Sequence, residues 1–122
     1  MITGVVQELQ GRIRVKVCGP GGRQREVESL VDTGCNGWLT LPRALIVALR
    51  LPWQSFGHGI LADGKEVLFD IYEATVIWDR RRRPVPVLEA GAQPLVGMSL
   101  MEGYQLTVQV RAGGKIILKR LA

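Results

Sequence analysis

Apolar and polar residues alternate with a period of two through the first part of the chain. Val5 to Leu9 and Ile13 to Val17 read as half-buried strands, the second with Ile13, Val15 and Val17 on one face and Arg14 and Lys16 on the other. Gln10-Gly11 is the predicted turn between them. Gly19-Pro20-Gly21-Gly22 punctuates the chain again, and Arg25 to Val31 reads as a strand ending on the apolar pair Leu30-Val31. After Leu39-Thr40-Leu41, Pro42 suits a helix start with Thr40 or Leu41 as cap, and the helix formers from Arg43 to Leu51 run on until Pro52 stops them. Strand character resumes from Trp53 to Leu61. Ala62-Asp63-Gly64-Lys65 reads as a hairpin tip leading into a long strand, Glu66 to Trp78. Asp79 to Arg83 is a charged turn, and Pro84 to Leu88 a short strand whose two prolines predict a sheet edge. Leu95-Val96 enters a short helix bounded by Gly97 and Gly103, and strands Gln105 to Val110 and Lys115 to Leu121 flank Ala112-Gly113-Gly114.

These elements are short and numerous, and the fifteen glycines that punctuate them favour an all-β class over long helices. A length of 122 residues makes one domain, 1–122, with room for a single core but not for two barrel lobes. Apolar residues at 47% and charged residues at 22% place the chain among folded proteins and away from disordered ones. No apolar stretch approaches a membrane span and the N-terminus lacks a signal pattern, so the expected compartment is the cytoplasm, with no membrane partner. Cys18 and Cys35 sit in dissimilar contexts, which predicts reduced thiols and neither a disulfide scaffold nor a zinc site. The formal charge of +5 could attract nucleic acid, but a quarter of the basic residues lie in the single run Arg80 to Arg83. That run carries no interleaved aromatic residue and reads as a solvated turn, so no nucleic-acid partner is expected.

One tripeptide stands out as chemistry. Asp32-Thr33-Gly34 follows Leu30-Val31 directly and puts a carboxylate in a tight turn at a strand end. Two carboxylates that share a proton can drive water onto a peptide carbonyl, one as base and the other as acid. The turn occurs once, so the second carboxylate must come from elsewhere, and a two-fold axis beside Asp32 would supply it from a second copy. Thr33 has a hydroxyl able to bond across to the partner loop, and Gly34 permits the sharp turn and offers an N–H to the carboxylate. The long hairpin around Ala62-Asp63-Gly64 is a natural lid over a cleft.

From Arg12 to Leu121 the chain resembles the retropepsin-like aspartic proteases, in particular their small single-domain bacterial members. The resemblance rests on Leu30-Val31-Asp32-Thr33-Gly34, followed by the small residue Cys35 and by apolar Trp38 and Leu39. It rests also on a second signature, Leu95-Val96-Gly97-Met98-Ser99-Leu100, at a distance that leaves room for the hairpin. It implies a small closed β-barrel with one or two short helices and a flap hairpin. It further implies a homodimer, an extended peptide substrate, and no cofactor or metal. Asp32 would be the catalytic acid or base, with Thr33 and Gly34 shaping the site. Leu61, Ala62, Asp63 and Gly64 would close over the peptide, and Gly97 would let Leu95-Val96 pass close behind the catalytic loop next to Cys35. Cys35 in place of the usual Ala or Ser, and Met98-Ser99 after the second glycine, depart from the family pattern and bear on pH optimum and dimer strength.

Other readings compete. Asp-Thr-Gly alone is a common structural turn. Cys35 and His58 could form a nucleophile and base, but nothing in the chain would orient the imidazole, so a buried Cys35 and a solvent-facing His58 are expected instead. Trp38, Trp53 and Trp78 read as packing residues, with Trp53 or Phe56 as lesser candidates for a pocket wall. A catalytically silent peptide-binding or assembly module built on the same barrel is the main functional alternative to an endopeptidase.

Overall fold

The structure is a computed structural model and describes residues 1–122. Ten strands and two short helices follow in the order β1 (Ile2–Gln7), β2 (Gln10–Cys18), β3 (Gln24–Val31), β4 (Leu39–Leu41), α1 (Arg43–Leu49), β5 (Trp53–Ile60), β6 (Glu66–Trp78), β7 (Arg81–Glu89), β8 (Leu95–Val96), α2 (Met98–Met101), β9 (Tyr104–Val108) and β10 (Lys115–Arg120). The all-β class with two short helices is borne out. All strands belong to one sheet in the order β5-β6-β7-β4-β8-β3-β2-β1-β10-β9. An extra pairing of β6 with β2, from Lys16 opposite Ile77 to Cys18 opposite Thr75, closes β2, β3, β8, β4, β7 and β6 into a ring. Where a small closed barrel is predicted, the structure has this closed ring of six strands.

Closure gives the ring strands a shared interior. Val17, Leu41, Val76, Val87 and Val96 are fully enclosed there, each worth about 1.5–3 kcal/mol of burial. The period-two pattern of β2 and β3 sends Ile13, Val15, Val17, Val27 and Ser29 inward. Beyond the ring, β1 pairs with β10 from Ile2 opposite Leu118 to Val5 opposite Lys115, so the terminal strands meet within one chain.

Several local expectations are corrected. The β1–β2 turn falls at Glu8-Leu9, both at positive φ (54° and 58°), and not at Gln10-Gly11. Gly11 lies inside β2, where the space of a side chain is taken by Ile116; the glycine serves packing, not turning. Helix α1 ends at Leu49 and is capped by Arg50 in the left-handed region, ahead of Pro52. Pro84 and Pro86 are not on an edge strand, because β7 lies between β6 and β4. Strand β4 reaches only Val87 to Glu89, so on that side neither proline has a neighbour that needs its missing N–H, while on the other both lie within the β6 ladder. The charged turn is confined to Asp79-Arg80, and Arg81 to Arg83 belong to β7.

In that turn Asp79 accepts hydrogen bonds from the Met1 ammonium (2.5 Å) and the Tyr104 hydroxyl (3.1 Å), and the Tyr104 ring meets Trp78 edge-on. The ammonium's hydrogen bond, outweighing the opposing effect of desolvation and aided by Tyr104, holds the Asp79 carboxyl below its ordinary range. A carboxyl lowered on folding stabilises above its unfolded value, about 3.9, and loses that contribution as pH falls through the folded value. Asp79→Asn, which the positive φ tolerates, should therefore lower Tm most between about pH 5 and neutrality, and the gap to the parent should close progressively as the pH falls through the acid range. Thermal melts across the acid range check this; a gap that persists at the acid end would contradict it.

Candidate active site

Strand β3 carries the chain through Leu30-Val31 to Asp32, and β4 takes it away again from Leu39. Strand β8 runs between the two. Leu30 and Val31 lie opposite Leu95 and Val96 in parallel, while Leu39 and Thr40 lie opposite Val96 and Leu95 in antiparallel register. The loop 32–38 is thus folded over the end of β8 and bonded to it. Asp32 N donates to Val96 O (2.9 Å), Gly97 N to Trp38 O (2.9 Å), Met98 N to Cys35 O (2.8 Å) and Ser99 N to Gly37 O (3.0 Å). Ser99 Oγ adds a bond to Asn36 O (2.6 Å). A Cβ on Gly97 would strike the Gly37 carbonyl, so only glycine lets the strand pass this close.

Within the loop, Cys35 N donates to Asp32 O (3.2 Å) and Gly34 N to Asp32 Oδ1 (2.9 Å). These bonds tighten the turn and orient the carboxylate. Asp32 and Cys35 are half-buried, while Thr33 and Gly34 are exposed at the loop tip. Asp32, Thr33, Gly34, Cys35 and Gly97 therefore form one cluster.

The hairpin β5–β6 ends in the turn Leu61 to Lys65, closed by Leu61 N to Lys65 O and Gly64 N to Leu61 O (both 2.9 Å), with Gly64 at φ 85°. Asp63 Oδ1 accepts from Lys65 N (3.0 Å) and so steadies the tip. Leu61, Ala62, Asp63 and Gly64 are all exposed at the free end. The hairpin's base, at Ile71, is what meets the loop: Ile71, Leu88, Pro86 and Thr40 line one cavity of about 220 Å³ with Cys35, Asn36, Gly37, Trp38 and Leu39. The side chains of Phe69 and Ile71 lie across Gly59 and Gly57, on the side of the hairpin that carries Ile71. Phe56, His58 and Ile60 alternate with those glycines and point the other way, where the exposed Phe56 and Trp53 stack edge-on at 5.0 Å. Neither aromatic lines the cavity. A separate cavity of about 280 Å³ beside Cys18 and Arg82 involves none of the loop residues.

Sequence reasoning missed Arg83. It was assigned to a solvated turn, but its guanidinium lies 5.3 Å from the Trp38 ring centre and donates to Leu100 O (3.5 Å), linking the end of the loop to α2. Thr40, Ile71 and Leu88 were also unforeseen as cavity walls, because only cross-strand register brings them together.

The six-stranded ring, the loop folded over β8 and the long hairpin define a retropepsin-like fold. Among solved structures, the chain is similar to a retropepsin-like aspartic protease from Rickettsia conorii, with a TM-score of 0.60 and 15% identity over 99% of this chain and 91% of that one. It is also similar to EIAV protease, solved as a complex with the inhibitor HBY-793, with a TM-score of 0.54 and 17% identity over 78% of this chain and 88% of that one. No protein-family model matches the chain, and neither does any curated protein. At these identities the likeness is one of fold.

The clasp around β8 makes a direct prediction. Gly97→Ala must push a methyl group into the Gly37 carbonyl, and overpacking of this kind costs about 1–3 kcal/mol. Urea unfolding monitored by tryptophan fluorescence should give a correspondingly lower midpoint; an unchanged midpoint would mean that the contact is not tight.

Proposed function

We propose that the protein is an aspartic endopeptidase that works as a homodimer, each copy contributing one Asp32. Two such carboxylates in contact hold one proton between them. The ionised one takes a proton from water as its oxygen attacks the scissile carbonyl, and the protonated one delivers its proton to the amide nitrogen as the C–N bond breaks. Gly34 N–H keeps Asp32 aimed, and the exposed Thr33 hydroxyl is free to bond to the partner's loop. The two hairpins, through Leu61, Ala62, Asp63 and Gly64, close over an extended peptide that adds as a strand.

The observation that carries this reading is the placement of Asp32. It is the one carboxylate in the loop folded over β8, and the same loop, from Cys35 onward, walls a cavity with five hydrophobic residues in its lining, in a fold shared with aspartic proteases. No helix is long and apolar enough to cross a membrane.

Digestion of a peptide library from acidic to neutral pH, with cleavage read by mass spectrometry, tests the proposal. The parent protein should cut, and Asp32→Asn should lose at least about 10²-fold in rate while its melting curve and sedimentation as a dimer stay the same. Peptide binding without cleavage by the parent would point to the silent binding module; equal cleavage by the variant would exclude the mechanism.

A further inference from the structure

Resting on the protease reading above, we propose that Arg12 binds a carboxylate of the peptide held in the cleft, so that the preferred substrates are acidic peptides. Register places Arg12 there. Arg12 lies opposite Leu30, Leu30 opposite Leu95, Leu95 opposite Thr40, Thr40 opposite Leu88 and Leu88 opposite Ile71. These residues alternate with the inward-facing Ile13, Val31, Val96, Leu39 and Val87, so they form one row on the side away from the core. Asp32 follows Leu30 by two residues, and the cavity beside its loop is walled by Thr40, Leu88 and Ile71 of the same row. The row is the floor on which a peptide beside Asp32 would lie, and Arg12 stands at its far end.

Among the basic residues along β2, Arg12 alone lies opposite an apolar residue of β3, and its one ion pair is the diagonal contact to Glu28. Arg14 faces Glu28 and Lys16 faces Glu26, whereas Arg12 faces Leu30. Its side chain is only 20% exposed, and its Nε is buried with no hydrogen-bond partner. Nη2 donates to Gln10 Oε1 (3.0 Å), and the Glu28 carboxylate is loosely placed at 3.7 Å and half exposed. A contact of that kind gives up little when it is displaced. The guanidinium keeps donors for a planar acceptor and stands over a cavity of about 280 Å³ lined also by Thr3, Gln7, Arg14 and Glu28. A carboxylate takes two of those donors side by side, which a neutral amide does not match. The formal charge of +5 draws acidic chains toward the protein at longer range.

The test measures binding apart from cleavage. Fluorescent peptide pools with apolar randomised positions are titrated against Asp32→Asn protein by anisotropy. The pools carry one Glu with an amidated C-terminus, one Gln with an amidated C-terminus, or one Gln with a free C-terminus. Either carboxylate pool should bind about tenfold more tightly than the neutral one, and which of the two does so identifies the source of the carboxylate. Arg12→Gln should bring the ratio to about one, Arg12→Lys should retain part of it, and Lys16→Gln, on the same strand but outside that cavity, should leave it in place. Equal binding of all three pools, no binding of any, or a preference that survives Arg12→Gln would overturn the proposal. The protease reading is judged separately, by whether the parent protein cuts the same pools.

Discussion

The fold turns on the close passage of β8 between β3 and β4. Backbone bonds from Asp32, Gly97, Met98 and Ser99 tie the loop 32–38 to a two-residue strand and the first turn of α2. The passage needs a bare backbone at Gly97, because any side chain there would enter the Gly37 carbonyl. Those bonds set the height and direction of the Asp32 turn. They also join β3 to β4 through β8, and without that link the ring of six strands would not close. The Asp32 loop and the closure of the ring are thus one piece of structure.

The same strands serve both faces of the ring. Their inward residues, among them Val17, Leu39, Val87 and Val96, make the core. Their outward residues, Leu30, Leu95, Thr40, Leu88 and Ile71, form a row beside Asp32 that is neither core nor ordinary surface. Apart from Thr40 the row is apolar, and on the proposed reading it is the floor for a peptide. Arg83 extends this economy: a cation from an outwardly charged run lies against Trp38 and the end of α2, so the exit of the loop is pinned from the side.

Much of this was legible in the sequence where the signal is local. The alternation of β2 and β3, the hairpin tip at Ala62-Asp63-Gly64 and the glycine-bounded α2 follow from period and turn chemistry, and so does the Asp32 turn itself. What was misread depended on neighbours distant in the chain. Glycine signals turning and packing alike, so Gly11 reads locally as a turn, and Ile116, which needs the space, lies far along the chain. Pro84 and Pro86 suggested an edge because the short reach of β4 is invisible until the sheet is assembled. Arg83 was hidden inside a charge run, and the cavity walls at Thr40, Ile71 and Leu88 emerge only from cross-strand register.

The central claim is that two copies of Asp32 act on one peptide bond, and subunit mixing tests it most directly. Parent protein and Asp32→Asn protein are combined at fixed total concentration, allowed to exchange, and assayed for peptide cleavage. If the site is shared, mixed dimers are inactive and an equal mixture retains about a quarter of the parent activity. Retention of about half, the value for sites that work alone, would contradict the account.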